Sequence, residues 1–233
     1  MARGELRAQA AGMEDVVIRD AGGAELAAGV ALLRDSLGFG PADAIPAWLA
    51  LTTTEAGGLV IGAYHRRTLV GFSYAVPALR PGGPHLFSCG LAVVPEWRSR
   101  GVGRRLKLAQ RDRALAAGMD RIRWTADPLA APALALYLSG LGARIVRYRA
   151  GMFDGLRCTR NDDVEIEWSV RGTVPAAPVD ALVEIPADPS CHSAAWRETV
   201  RREMRSLLGQ ELVGVGVEVA GDRRWVRFGR PAP

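Results

Sequence analysis

The stretch "VVPEWRSRGVGRRLKLAQ", residues 93–110, decides how the rest of the chain is read. Val93 and Val94 close an apolar, strand-like run, and Pro95 breaks it. From Val102 onward apolar residues recur at helical spacing. Between strand and helix stand Arg98, Arg100, Gly101, Gly103, Arg104 and Arg105. A helix N-terminus carries unpaired N–H groups and a partial positive charge. Glycines let the preceding backbone turn tightly and approach a ligand closely, and arginines add full charges. This combination predicts a phosphate cradle formed by Arg98, Arg100, Gly101, Val102, Gly103 and Arg104. A plain arginine-rich surface turn is the alternative. The dinucleotide pattern GxGxxG does not fit, because Leu106 stands at the third glycine, and the P-loop Gly-Lys-Ser/Thr is absent.

Working outward, "DVVIRD" (15–20) reads as a first strand and residues 22–37 as a helix stopped by Gly38 and Gly40. "PADAIPAWLALTTT" predicts a second short helix. "GGLVIGAYHRRTLVGFSYAVP" is a hairpin around His65–Thr68, "LRPGGPH" a turn, and "HLFSCGLAVV" (85–94) a long strand. His85 would then be an edge or turn residue. After the corner, Val102, Leu106, Ala109 and Ala116 share one helical face, and Arg104, Lys107, Arg111 and Asp112 lie mainly on the others. Gly118 is placed to cap that helix. "RIRWTA" (121–126) alternates as a strand, and "APALALYLSGLG" is a helix with Pro132 in its first turn. "RIVRYRAGMF" and "VEIEWSV" are strands, and residues 173–180 resemble a linker. A strand "ALVEIPAD", an amphipathic helix "SAAWRETVRREMRSLLGQ" and a hairpin around Gly221-Asp222 follow. Strands alternating with helices through the middle argue an α/β or α+β sheet. Trp48, Trp124 and Trp168 are expected in the core.

The chain has 233 residues, 48% of them hydrophobic, enough for one domain with an appendage. The expected division is a flexible tail at 1–12, a main domain at 13–172 and an extension at 173–233. The N-terminus lacks the apolar core of a secretory signal and no run approaches a membrane span, so a cytoplasmic protein without membrane contact is expected. Three cysteines (Cys89, Cys158, Cys191) and three histidines (His65, His85, His192) make no metal spacing, so free thiols and no metal are expected. The net charge is +5 and the pI about 9.6, but acids are spread throughout and Lys107 is the single lysine. Basic residues attract nucleic acid, membrane surfaces or small anionic ligands, and so modest an excess points away from nucleic acid.

The spacing Arg98-x-x-Gly101-x-Gly103 directly after "LAVVPEW" resembles the pyrophosphate loop of the GNAT (GCN5-related N-acetyltransferase) superfamily. The preceding hairpin and the following strand and helix stand in that family's order. The resemblance implies a GNAT fold: a mixed, mostly antiparallel central sheet, splayed at the acyl-CoA site, with helices on both faces. Here a C-terminal strand–helix–hairpin extension is added. A narrower likeness lies in "LKLAQRDRALAAGMDRIRWTADPL", which is similar to a subset of predicted acyltransferases with a Q-R helix, a W-T-x-D-P-L strand end and a C-terminal extension. That subset suggests acylation of amino acids.

What the resemblance implies for the site follows residue by residue. Backbone groups of Leu91, Ala92 and Val93 would pair with the pantetheine arm, and an N–H near Val93 would stabilise the oxyanion. The family's tyrosine acid lies four residues before a glycine; here Leu138 holds that place before Gly142 and Tyr137 is its neighbour, so Tyr137 is either the acid or a packed aromatic. Ala133 stands where many members carry an asparagine. By strand alternation Phe87, Cys89, Leu91 and Val93 share one face, and Ser88 and Ala92 the other. Cys89 is either a covalent nucleophile or, as favoured, a buried inert thiol. Arg147 and Arg149 flank Tyr148 and are candidates for a substrate carboxylate, with a solvated strand face as the alternative. Asp162, Asp163, Glu165 and Glu167 would attract an amine or form a solvated face. The expected function is transfer of an acyl group, acetyl or larger such as succinyl, from acetyl-CoA or another acyl-CoA to the amine of a small molecule or amino acid, with a homodimer among the expected states. The alternatives are a GNAT-fold acyl-CoA binder without transfer, or one repurposed for another thioester reaction.

Overall fold

A computed structural model describes residues 15–80, 82–152, 154–155, 162–172, 178–187 and 193–231. The expected tail at 1–12, Cys158, Cys191, His192 and most of the expected linker lie outside the described residues. The chain divides into two compact units, the first ending at Met119 and the second beginning at Asp120.

The first unit contains β1 (Val16–Asp20), α1 (Ala24–Leu37), α2 (Ala47–Glu55), β2 (Leu59–His65), β3 (Thr68–Arg80), β4 (Gly83–Val93) and α3 (Val102–Ala116). β1 to β4 pair consecutively, all antiparallel. Gly38 caps α1 in the left-handed conformation, its N–H donating to the Arg34 carbonyl. Gly118 ends α3 as expected: its N–H donates to Leu115 and that of Met119 to Ala114, the paired bonds of a Schellman cap. The chain turns within "LRPGGPH" as expected, but β3 and β4 stay paired into that stretch, out to Arg80 and Gly83. His85 is therefore inside a strand and 2% exposed, not an edge residue.

Helices cover both faces of β3 and β4. Phe72 packs against α1 at Gly29, where a Cβ would come within 2.1 Å of the Phe72 ring, so only glycine lets helix and strand approach so closely. Gly71, one residue earlier, faces Val102 and Leu106 of α3. On α3 the buried residues are Val102, Leu106, Lys107, Gln110 and Ala114. This corrects the expected face: Ala116 is exposed, and the one lysine is 1% exposed. Trp124 and Trp168 are buried as expected, but Trp48 on α2 is 66% exposed.

The second unit contains β5 (Arg121–Ala126), α4 (Ala131–Leu134) running into a π-wound turn (Ala135–Gly140), β6 (Arg144–Arg149), β7 (Asp163–Ser169), β8 (Ala181–Ile185), α5 (Ala194–Gly209), β9 (Val213–Ala220) and β10 (Arg223–Gly229). β5 pairs β7, β7 pairs β6, and β6 touches β9 through Ile145 and Gly214. β9, β10 and β8 complete the antiparallel order. β5 alternates strictly, with Ile122, Trp124 and Ala126 buried. Ser193 caps α5 by accepting the Trp196 N–H, and Val200 and Met204 form its buried stripe. The chain thus has the mixed α/β fold and the C-terminal strand–helix–hairpin read from its sequence. Among the described residues no helix is long and apolar enough to cross a membrane.

Candidate active site

The corner at residues 93–104 is built by three local devices. Pro95–Trp97 forms a single 3₁₀ turn, with the Trp97 N–H donating to the Val94 carbonyl and that of Arg98 to Pro95. Ser99 (φ 58°) and Gly101 (φ 86°) both take the left-handed conformation, which folds the backbone into a concavity of N–H groups. The first helical bond runs from the Arg105 N–H to the Gly101 carbonyl, so the N–H groups of Val102, Gly103 and Arg104 have no partner within α3. α3 has no side-chain cap bond and no acidic residue in its first turn. A ligand-free helix of this kind would gain from an acid there, so the bare terminus suits an external anion.

The arginines divide into two roles. Arg98 Nε donates to the Val93 carbonyl at 3.1 Å, fastening the corner back onto β4. Arg105 Nη2 donates to the Val16 carbonyl at 2.6 Å and ties α3 to β1. Arg100 and Arg104 are exposed beside the concavity, Arg100 lying 5.5 Å from the Trp97 ring, which stacks on His65 at 4.8 Å. These groups fit a pyrophosphate.

β4 changes phase just before the corner. Tyr74 is paired with Gly90 and Ala75 with Ser88, which leaves Cys89 as the extra residue of a β-bulge. Ser88 faces α3, whereas Cys89 lies beside Val30, Leu33 and Leu37 of α1, and Gly90 packs on Leu33. Ala92 joins the α1-side core. The expected alternation therefore fails: Ser88 and Ala92 lie on opposite faces, because the bulge spends one residue without advancing the pairing. Leu91, Ala92 and Val93 follow, opposite Ser73, Phe72 and Gly71.

Cys89 is exposed, correcting the expected buried thiol, and it borders a cleft of about 60 Å³. Solvent reaches the residue while apolar side chains crowd its sulfur; access to water and the dielectric around Sγ are different properties, and the second sets the proton affinity. Burial pushes the thiol up to about 11, against smaller opposing pulls from the Val76 backbone and Lys107. Its Sγ leans on the Phe87 carbonyl at 3.7 Å. A thiol in that state is protonated at neutral pH and is a poor nucleophile.

In the second unit, Tyr137 is half-buried and meets Trp124 edge-on, with ring centroids 5.1 Å apart. Leu138 is 2% exposed. The segment Ala135–Gly140 is π-wound. A π turn holds one more residue than an α turn, so the residue one turn before Gly142 moves from four places back to five, onto Tyr137. Arg149 donates through Nε and Nη2 to Glu165 at 2.9 and 2.6 Å, whereas Arg147 is exposed. The acidic cluster is not a solvated face. Asp162 and Asp163 are fully buried and Glu165 nearly so. Glu167 accepts from Arg123 Nε at 2.7 Å. Asp162 accepts from Arg201 Nε, the Tyr148 hydroxyl and the Gly151 N–H at 2.7–2.9 Å. Burial opposes its charge, but the Arg201 guanidinium and the other two donors outweigh it and hold the carboxyl below its ordinary value.

One group escaped the sequence reading: a buried polar set of Ser73, Ser88, Lys107 and Gln110 beneath the bulge. The only signal for it was a lysine and a glutamine three apart on a helix whose phase relative to the strand was unknown.

Residues 31–143 match the acetyltransferase (GNAT) family. No curated protein matches the chain at a significant level. Among solved structures it resembles Arabidopsis thaliana Naa50 in complex with a bisubstrate analogue (16% identity, TM-score 0.55, 66% of this chain and 99% of that one). It also resembles the Escherichia coli ribosomal-protein-S18-alanine N-acetyltransferase (16%, TM-score 0.53, 68% and 96%). A third is a GNAT family acetyltransferase from Elizabethkingia anophelis with acetyl-CoA bound (15%, TM-score 0.50, 67% and 99%). At these identities the likeness is one of fold.

Proposed function

We propose that the protein transfers an acyl group, acetyl or larger such as succinyl, from acyl-CoA to the amine of a small molecule or an amino acid. Residues 13–172 are assigned to the transfer and 173–233 to an extension. The observation that carries this reading is the bare, arginine-flanked N-terminus of α3 directly after a bulged β4. Acyl-CoA supplies an acyl carbon activated as a thioester. The N–H groups of Val102, Gly103 and Arg104, with Arg98 fastening the corner and Arg100 and Arg104 beside it, would hold the pyrophosphate. Backbone groups of Leu91, Ala92 and Val93 would pair with the pantetheine arm. The N–H near Val93 would donate to the thioester oxygen, more strongly as negative charge develops there. Tyr137 Oη is assigned the proton for the departing sulfur, and the amine proton leaves to solvent. Arg147 is the better candidate for a substrate carboxylate, because Glu165 already takes the fork of Arg149. Cys89 takes no covalent part.

A second reading, acyl-CoA binding without transfer, is favoured by Ala133, which holds the place of a family coenzyme contact. Native mass spectrometry with a panel of acyl-CoAs, followed by coenzyme A release with a panel of amines, separates the two. Binding with release supports transfer; binding with no release on any amine supports the second reading; no binding refutes both.

A further inference from the structure

The bulge of β4 is held from one side by a chain of buried polar contacts. Lys107 Nζ donates to Ser88 Oγ at 3.0 Å, and Gln110 Nε2 donates to the same oxygen at 2.9 Å. Gln110 Nε2 also donates to Ser73 Oγ at 2.6 Å, and Ser73 Oγ in turn donates to the Gly90 carbonyl at 2.9 Å. Ser88 and Gly90 flank the extra residue Cys89, so one shoulder of the bulge is bonded to α3 directly and the other through Ser73 of β3. All four side chains are buried: Ser73 and Gln110 fully, Lys107 to 1% and Ser88 to 4% exposure.

This is a costly way to hold a strand. Burying an amine and an amide in a core is unfavourable unless their hydrogen bonds are made, and apolar side chains would pack the same space more cheaply. Burial drives the Lys107 amine well below its ordinary proton affinity. The compensation is directional. Apolar packing fixes a separation, whereas hydrogen bonds to one hydroxyl and one carbonyl fix the phase of a bulge, which otherwise slides by a residue. That phase decides which way the N–H groups of Leu91, Ala92 and Val93 point, one to three residues further on. Lys107 and Gln110 belong to the helix whose first turn forms the pyrophosphate cradle, so one rigid element carries the cradle and holds the strand.

We propose that Lys107, Gln110, Ser73 and Ser88 are positioning residues that set the β4 bulge, and with it the acyl-arm subsite, at a fixed distance from the pyrophosphate cradle. The proposal rests on the acyl-CoA reading. It implies that coenzyme recognition has two separable halves: a cradle that works without these contacts, and an arm site that does not.

The test compares two ligands by calorimetry: acetyl-CoA, which needs both halves, and 3′-phosphoadenosine 5′-diphosphate, which needs only the cradle. Lys107→Met keeps an unbranched side chain of similar length and removes its donors; Ser73→Ala cuts the ties to Gly90 and to Gln110 Nε2 and leaves the lysine and its bond to Ser88 in place. Each folded variant should bind acetyl-CoA at least tenfold more weakly and the nucleotide diphosphate within twofold of the wild type. In transfer assays KM for acetyl-CoA should rise and the melting temperature should not predict by how much. Equal weakening of both ligands, or no weakening of either, would overturn the proposal. If Lys107→Met does not fold, Ser73→Ala decides alone. Failure of the wild type to bind either ligand would instead refute the acyl-CoA reading.

Discussion

Replacing Gly103 with aspartate should move stability and coenzyme binding in opposite directions. Gly103 is the second residue of α3, half-buried, in a first turn with no acid. Without ligand, an aspartate there helps the helix. It recovers part of the roughly 0.5–1 kcal/mol that a helical glycine costs relative to alanine, and it adds about 0.3–1 kcal/mol by opposing the macrodipole. The ligand-free melting temperature should therefore hold or rise. The same carboxylate stands among the N–H groups assigned to the pyrophosphate. At about 5 Å and an effective dielectric constant of about 40, each pair of unit charges costs about 1.7 kcal/mol. Two diphosphate charges make that about 3 kcal/mol, on the order of 10²-fold in Kd. The penalty should shrink as salt rises. Calorimetric titration with coenzyme A and thermal melts read the two effects separately, with Gly103→Ala as the control that gains stability and adds no charge. A folded Gly103→Asp protein whose coenzyme A affinity stays within threefold of the wild type would refute the cradle.

Three further outcomes are expected. Tyr137→Phe should lower kcat by about 10²–10⁴ with coenzyme affinity unchanged; a loss under about threefold would return Tyr137 to a packing role against Trp124. Cys89→Ser should keep at least a tenth of the activity, and alkylation of the wild-type Cys89 peptide should keep accelerating past pH 9.5, because its thiol is pushed up to about 11; a rate that levels off near pH 9 would mean an ordinary thiol. Glu25, held down to about 2 by Arg19 and the Tyr64 hydroxyl, has a depressed folded value, so its contribution is complete above its ordinary 4.5 and is lost as pH falls toward 2. The gap in melting temperature between wild type and Glu25→Gln should accordingly be present at pH 7 and closed at pH 2, and a gap independent of pH would assign the effect to packing.

What the sequence determined by itself is whatever depends on a few neighbouring residues. The strand–Pro–glycine corner, the hairpin turn at His65–Thr68, the Gly118 cap and the strict alternation of β5 were all legible, because turn chemistry and periodicity are local. The candidate phosphate cradle was legible for the same reason: residues 98–104 are seven consecutive positions. Tertiary structure alone decided the phase of β4, since the bulge at Cys89 exists only in relation to Tyr74 and Ala75 on another strand. A one-residue slip there moved Ala92 to the opposite face from Ser88 and exposed the thiol expected to be buried. It alone decided that Lys107, polar by type, is core, and that Asp162 and Glu165 are interior acids. Charge along a sequence says that a side chain wants water or a partner; only through-space packing brings Arg201 to Asp162 and Arg149 to Glu165, residues 39 and 16 places apart. The π turn before Gly142 belongs with these, because i→i+5 winding leaves no mark in a run of alanines and leucines, yet it chooses which of Tyr137 and Leu138 is buried.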